Sequence, residues 1–277
     1  MPTKKGLRIS KMAKPKALVF SGYGLNCEEE TKHAFDISGA EAQIIHINDL
    51  IANPKLLKDF QILSFPGGFS YGDDTGSGNA YANKIKNNMW EDLATAISKD
   101  VLAIGICNGF QIIVNLGLLP AIDKKYGDRQ VALLHNDNAR YTTRWVDLKV
   151  ESNSPWLKDI SDLSLPIAHG EGKFFADPKT LSELNSKGMI ALRYTHGKIC
   201  QYQDLSANPN GSIEDIAGIT DETGKILGLM PHPERAMFFT QLPHWTFLKE
   251  GLKRKGEVVP ESGPGIQIFE NAVNYFK

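Results

Sequence analysis

The chain has 277 residues, 42% of them hydrophobic and 23% charged, a balance that excludes intrinsic disorder and a collagen-like fibre and allows one large domain or two small ones. No run reaches 18 apolar residues, so no membrane-spanning helix is expected. The formal charge of −1 hides an asymmetry: residues 1–16 carry six basic groups and no acid, leaving 25 basic against 32 acidic groups in the rest. An acidic body argues against a nucleic-acid surface, which needs clustered lysine and arginine. Residues 1–15 read as a solvated basic leader without the apolar stretch of a secretory signal.

In chain order, Ala17-Leu18-Val19-Phe20 predicts a first strand, and Asn26 is expected to cap a helix with Glu28, Glu29 and Glu30 in its first turn. Further strands are expected at Ala42 to Ile47, at Phe60 to Phe65 and at Val101 to Ile106. Between the last two, Met89, Leu93 and Ile97 recur every four residues as a helix face. Strands alternating with helices imply a mainly parallel sheet with helices on both sides. The second half reads as antiparallel, with alternation over Arg144 to Val150 and with Ile216 to Ile219 and Ile226 to Met230 flanking Asp221-Glu222-Thr223-Gly224. Asp177-Pro178 opens one more helix that Gly188 ends, and Ile266, Phe269, Val273 and Phe276 mark a closing helix. Without repeats or low-complexity linkers, residues 16–277 are expected to form a single α/β domain with an additional antiparallel portion.

Three widely spaced cysteines, Cys27, Cys107 and Cys200, suit neither a disulfide framework nor a Cys-x-x-Cys metal site and point to a reducing cytoplasm. One of them stands out. Gly105-Ile106-Cys107-Asn108-Gly109 lies between an apolar strand and a helical run, the pattern of a nucleophile elbow with cysteine in place of serine. The glycines leave room for strained backbone angles, and the helix start favours a thiolate and offers the Asn108 N–H to a developing oxyanion. A buried core cysteine at a βα junction is the competing reading. Cys27 and Cys200 are expected to lack both a helix start and a histidine beside them.

A thiolate attacking an acyl group needs a proton donor for the leaving amine, and that group needs an orienting acceptor. In Met230-Pro231-His232-Pro233-Glu234 the prolines stiffen an extended segment, so side chains two apart lie on one side and the Glu234 carboxylate can meet the His232 imidazole. A proline-rich loop with a surface ion pair would look similar; the other six histidines have no such stiffened partner. Gly67 and Gly68, after the strand ending at Phe65, can leave backbone N–H groups free for a second oxyanion contact, or simply make a tight turn. Gln111, one helical turn after Cys107, can turn its amide toward the same cleft or serve a surface role.

Five runs occur in order: Phe65-Pro66-Gly67-Gly68-Phe69-Ser70-Tyr71-Gly72-Asp73, Gly105 to Gln111, Pro166-Ile167-Ala168-His169-Gly170-Glu171-Gly172, Asn208-Pro209-Asn210-Gly211-Ser212, and Met230 to Arg235. From about Lys16 onward the chain resembles the class I (triad) glutamine amidotransferases, and within them the glutaminase subunits of phosphoribosylformylglycinamidine synthase. The resemblance implies a flavodoxin-like fold, a Cys107, His232 and Glu234 triad, oxyanion donors near Gly68 and Asn108, and glutamine contact by Gln111. It also implies a cytoplasmic complex with a large synthetase subunit, often with a small third one. Asp123 to Tyr141 and Phe238 to Gly265 look longer than in compact versions of this subunit and are expected to stay clear of the motif residues.

No G-x-x-x-x-G-K-[ST] run is present, and Gly170-Glu171-Gly172-Lys173-Phe174 fails both its spacing and its final hydroxyl. No cofactor is therefore expected on this chain, with ATP and magnesium assigned to the synthetase. Low glutaminase activity is expected of the chain alone, with the partner completing the oxyanion hole by moving the Gly67-Gly68 loop. A stand-alone cysteine hydrolase and a catalytically silent regulatory subunit are the alternatives.

Overall fold

A computed structural model describes residues 13–277; residues 1–12 of the expected basic leader lie outside them. Three apolar runs of the first half, at 17–20, 62–65 and 102–106, become strands buried on both faces, as central strands of a helix-covered parallel sheet must be, while the run from Ala42 becomes a part-buried edge strand. They alternate with helices: β1 (Lys16–Ser21), α1 (Glu28–Ile37), β2 (Glu41–His46), α2 (Ile47–Ala52), β3 (Ile62–Phe65), α3 (Asn79–Ile97), β4 (Leu102–Ile106) and α4 (Asn108–Leu116). The second half holds β5 (Ala132–Leu134), β6 (Thr142–Val150), β7 (Asp162–His169), β8 (Lys173–Phe175), α5 (Pro178–Ser186), β9 (Ile190–Thr195), α6 (Lys198–Gln203), β10 (Ile216–Thr220), β11 (Ile226–Leu229), α7 (Trp245–Arg254) and α8 (Ile266–Tyr275).

One nine-stranded sheet joins the two halves in the order β2-β1-β3-β4-β11-β10-β9-β6-β7, while β5 and β8 pair separately. The first five strands are mutually parallel. Their order is that of flavodoxin-like sheets, whose ligands bind beyond the carboxyl ends of the strands. β11 is the seam. It runs parallel to β4 on one side and forms an antiparallel hairpin with β10 on the other, around the turn that Gly224 closes. From β10 to β7 every pairing is antiparallel.

The core packs against both faces of this sheet. Phe20 of β1 stacks on Phe65 of β3 with centroids 4.1 Å apart, and Phe35 of α1 meets Phe269 of α8 edge to face at 4.9 Å. Met89, Leu93 and Ile97 all point inward from α3. Asp177 caps α5, accepting from the N–H groups of Lys179 and Thr180. Two local expectations need correction. The residue at the cap position of α1 is Cys27, not Asn26, and no side chain caps the helix, because the N–H groups of both residues are tied to the Gly67 carbonyl and the first helical turn begins only at Glu28. Phe276 lies just past α8 and is only part-buried.

Candidate active site

Cys107 sits where β4 passes into α4, with φ 52° and ψ −108°. A non-glycine residue in this region is strained, and surrounding structure must hold it there. Its own N–H donates to Leu229 O at 2.8 Å and its carbonyl accepts from Gln111 N. Two positions later α4 lies directly on β3: a Cβ built on Gly109 would stand 1.8 Å from Phe65 O. Only glycine allows this approach, which brings the start of α4 against the end of β3.

His232 follows β11 and is 2% exposed; its Nδ1 lies 2.5 Å from Oε1 of the fully buried Glu234. Burial alone would favour the neutral ring. The Glu234 carboxylate and the neighbouring thiols of Cys107 and Cys27 outweigh it and hold His232 well above the ordinary histidine range. β7 fixes both partners from outside. Although four places from β11 in the sheet order, this strand curls back so that Pro166 O accepts from His232 N at 2.8 Å and Ala168 O lies 3.7 Å from Cys107 Sγ.

Gly67 and Gly68 lie on the other side of Cys107. The Gly67 carbonyl accepts from both Asn26 N and Cys27 N at 3.1 Å, and Phe69 N donates to Gly24 O. A Cβ on Gly68 would come within 2.4 Å of Gly24 O, and one on Gly67 within 2.7 Å of the His232 ring. In a trans peptide the N–H opposes the C=O, so the Gly68 N–H points away from the Asn26 and Cys27 donors that hold the Gly67 carbonyl. Three backbone hydrogen bonds therefore pin the turn.

The Asn108 side chain is a buried staple. Its Oδ1 accepts from Ser70 N, and its Nδ2 donates to Gln111 Oε1 at 2.8 Å and Asp73 Oδ1 at 3.3 Å. Its N–H, at the first helical position, has no acceptor within the helix. Gln111 does turn toward the same end of the molecule, but its amide also donates to Glu171 O at 2.5 Å. Its first task is thus to hold Asn108 and the Gly170–Gly172 turn, with one amide hydrogen left over.

Several residues here escaped the sequence reading. Cys27 stands at the cap position of a helix after all, and Arg235 Nη2 donates to its sulfur at 2.9 Å. Its Sγ and the ligating atoms of His232 and Glu234 lie within 4.8 Å of one another. Among the described residues this is the group with metal-ligand spacing. His232 and Glu234 already bind each other, however, and a guanidinium faces the sulfur. The two long segments also reach the motifs: Asn136 Oδ1 faces His169 Nδ1 and Gly172 N at 3.1 Å, while a Cβ on Gly265 would meet Pro233 O at 2.1 Å. Tyr141 enters the field of Cys107; burial and then the negative charge of the Cys107 thiolate push its phenol up. The position of Cys27 just before the Glu28-Glu29-Glu30 helix start was the one available signal. The others depend on contacts between segments far apart in sequence.

A family model described as a CobB/CobQ-like glutamine amidotransferase domain matches residues 14–276. The phosphoribosylformylglycinamidine synthase subunit PurQ of Methanococcus maripaludis is 51% identical over 265 residues, 95% of this chain and 97% of that protein. The protein of the same description from Dehalococcoides mccartyi is 41% identical over 266 residues, 95% of this chain and 98% of that one. Among solved structures, a chain of PurLQS from Thermotoga maritima superposes with a TM-score of 0.71 at 30% identity, covering 95% of this chain and all of that one.

Proposed function

This chain belongs to the CobB/CobQ-like glutamine amidotransferase family, and from that premise we propose that it is the glutamine-hydrolysing subunit of a phosphoribosylformylglycinamidine synthase. The observation carrying the chemistry is the buried His232–Glu234 pair beside a cysteine on a strained strand-to-helix turn. The Cys107 thiolate attacks the side-chain amide carbon of glutamine, and the resulting oxyanion receives the N–H groups of Gly68 and Asn108. The C–N bond then breaks as the His232 imidazolium gives its proton to the leaving nitrogen, producing ammonia and a γ-glutamyl thioester. Neutral His232 next takes a proton from water, the hydroxide attacks the thioester, the C–S bond breaks and glutamate leaves. Thiolate and imidazolium are restored.

Glu234 keeps the imidazole oriented and stabilises its charged form. Ammonia loses its nucleophilicity once protonated in bulk water, which favours direct transfer to a synthetase that converts formylglycinamide ribonucleotide to formylglycinamidine ribonucleotide with ATP. ATP and magnesium belong in this reading to the synthetase, and a small third subunit completes the complex in the cytoplasm. Residues 16–277 act as one glutamine amidotransferase unit, within whose described part no helix is long and apolar enough to cross a membrane.

The test uses the assembled complex. Cys107→Ser should abolish synthesis from glutamine while leaving synthesis from ammonium salts intact, because a serine hydroxyl is a far weaker nucleophile than a thiolate at neutral pH. Loss of both reactions would make Cys107 an assembly residue. Retention of the glutamine-dependent rate would reduce this chain to a regulatory subunit.

A further inference from the structure

We propose that Asp73 recognises the α-ammonium group of glutamine and thereby restricts the site to the free amino acid; this rests on reading the site as a glutaminase. A cleft of about 430 Å³ is lined by Phe69, Asp73, His135, Arg140, Tyr141 and Glu171. It adjoins the reactive centre: Asn108, next to Cys107, donates to Asp73 Oδ1, and Tyr141 lies in the field of the thiol. In a glutamine whose amide carbon is at Cys107 Sγ, the α-nitrogen is four bonds away, and the proposed contact places it in this adjoining cleft.

The two carboxylates of the cleft differ in what already surrounds them. Glu171 receives Ser77 N at 3.2 Å and has His135 Nδ1 at 3.4 Å. Asp73 is held by the Asn108 amide, and among the described residues no lysine or arginine comes within 4.0 Å of it. Burial pushes its carboxyl up to about 6, repulsion from Glu171 and Asp74 adds to this, and hydrogen bonding to Ser77 and Asn108 opposes it. A part-buried carboxylate with like charges beside it gains most when a cation enters. The substrate supplies one, and Arg140, which also lines the cleft, suits its α-carboxylate.

The discriminating probe is glutaramate, which is glutamine without its α-amino group. Asp73 has φ 57°, a conformation that asparagine adopts readily, so Asp73→Asn removes the charge and spares the backbone. In the complex with its synthetase, the variant should raise KM for glutamine by about tenfold to a hundredfold with kcat within about twofold. Its kcat/KM for glutaramate should stay near wild type, and the wild-type rise of KM as pH falls through about 6 should disappear. Equal losses on both substrates, total inactivity included, would show that Asp73 only supports Asn108. An unchanged KM for glutamine would likewise overturn the assignment. If the wild-type complex released no glutamate from glutamine, the glutaminase reading would fail, and this inference with it.

Discussion

His232 is fully enclosed, yet burial does not decide its charge, because Glu234 is enclosed with it at 2.5 Å and neither can turn to water. Removing the carboxylate leaves desolvation unopposed, so the ring should lose its proton at a lower pH. Glu234→Gln is therefore expected to lower kcat roughly 10²- to 10⁴-fold and to move the alkaline limb of the rate profile to lower pH. A variant with its alkaline limb unmoved would show that Glu234 does not set the charge of His232. The His232–Glu234 pair was legible in the sequence because two prolines fix a short local geometry. Cys27 was not: its partner Arg235 is 208 positions away, and no local pattern encodes that meeting.

At the scale of elements, the junctions of β3, β4 and α4 carry the site, and their spacing depends on missing side chains. Gly109→Ala would place a methyl group 1.8 Å from Phe65 O, which forces α4 off β3; a loss of at least about 2 kcal/mol of stability and of most glutaminase activity is expected. Gly251→Ala in α7 is the control. Its Cβ meets nothing within 4 Å, so chemical denaturation should find it more stable by roughly 0.5–1 kcal/mol. The end of β7 is a third such junction. There His169 is buried against Asn136, and burial first, then the charge of His232, lowers its pKa to about 3. The unfolded chain binds a proton near pH 6.5 that the folded chain refuses until about pH 3, so this residue's contribution to stability falls as pH drops through that window. The stability deficit of His169→Gln should accordingly be largest above pH 6.5 and shrink toward pH 3 in paired denaturation curves. A deficit independent of pH would mean that the histidine is not held neutral.

For the molecule as a whole, the cleft is open. Phe69 and Tyr141 stand at its mouth 41% and 54% exposed, their rings 5.9 Å apart. Cys107 and His232 themselves are buried, but an uncovered rim leaves the charges that must hold the rest of the substrate screened by solvent. The chain alone should therefore turn glutamine over slowly, and its synthetase should accelerate glutamate release at least about tenfold. Because the Gly67 carbonyl is already pinned, that gain is expected from covering the cleft rather than from a peptide flip. Equal rates with and without the synthetase would remove the coupling.

The alternation of apolar runs with helical faces determined the parallel half of the sheet, since burial on both faces of a strand leaves a continuous signature in sequence. Glycines and prolines at strand ends likewise marked Gly67, Gly68, Cys107, His232 and Glu234, because tight turns demand particular residues at particular positions. Only the tertiary structure decided that β7 curls back to hold His232 and Cys107 by its carbonyls, that the Gln111 amide donates to the Glu171 carbonyl, and that Tyr141 and Asp73 share one cleft. Backbone carbonyls carry no sequence signature, and contacts closed over many tens of residues depend on how the sheet curves rather than on any local run.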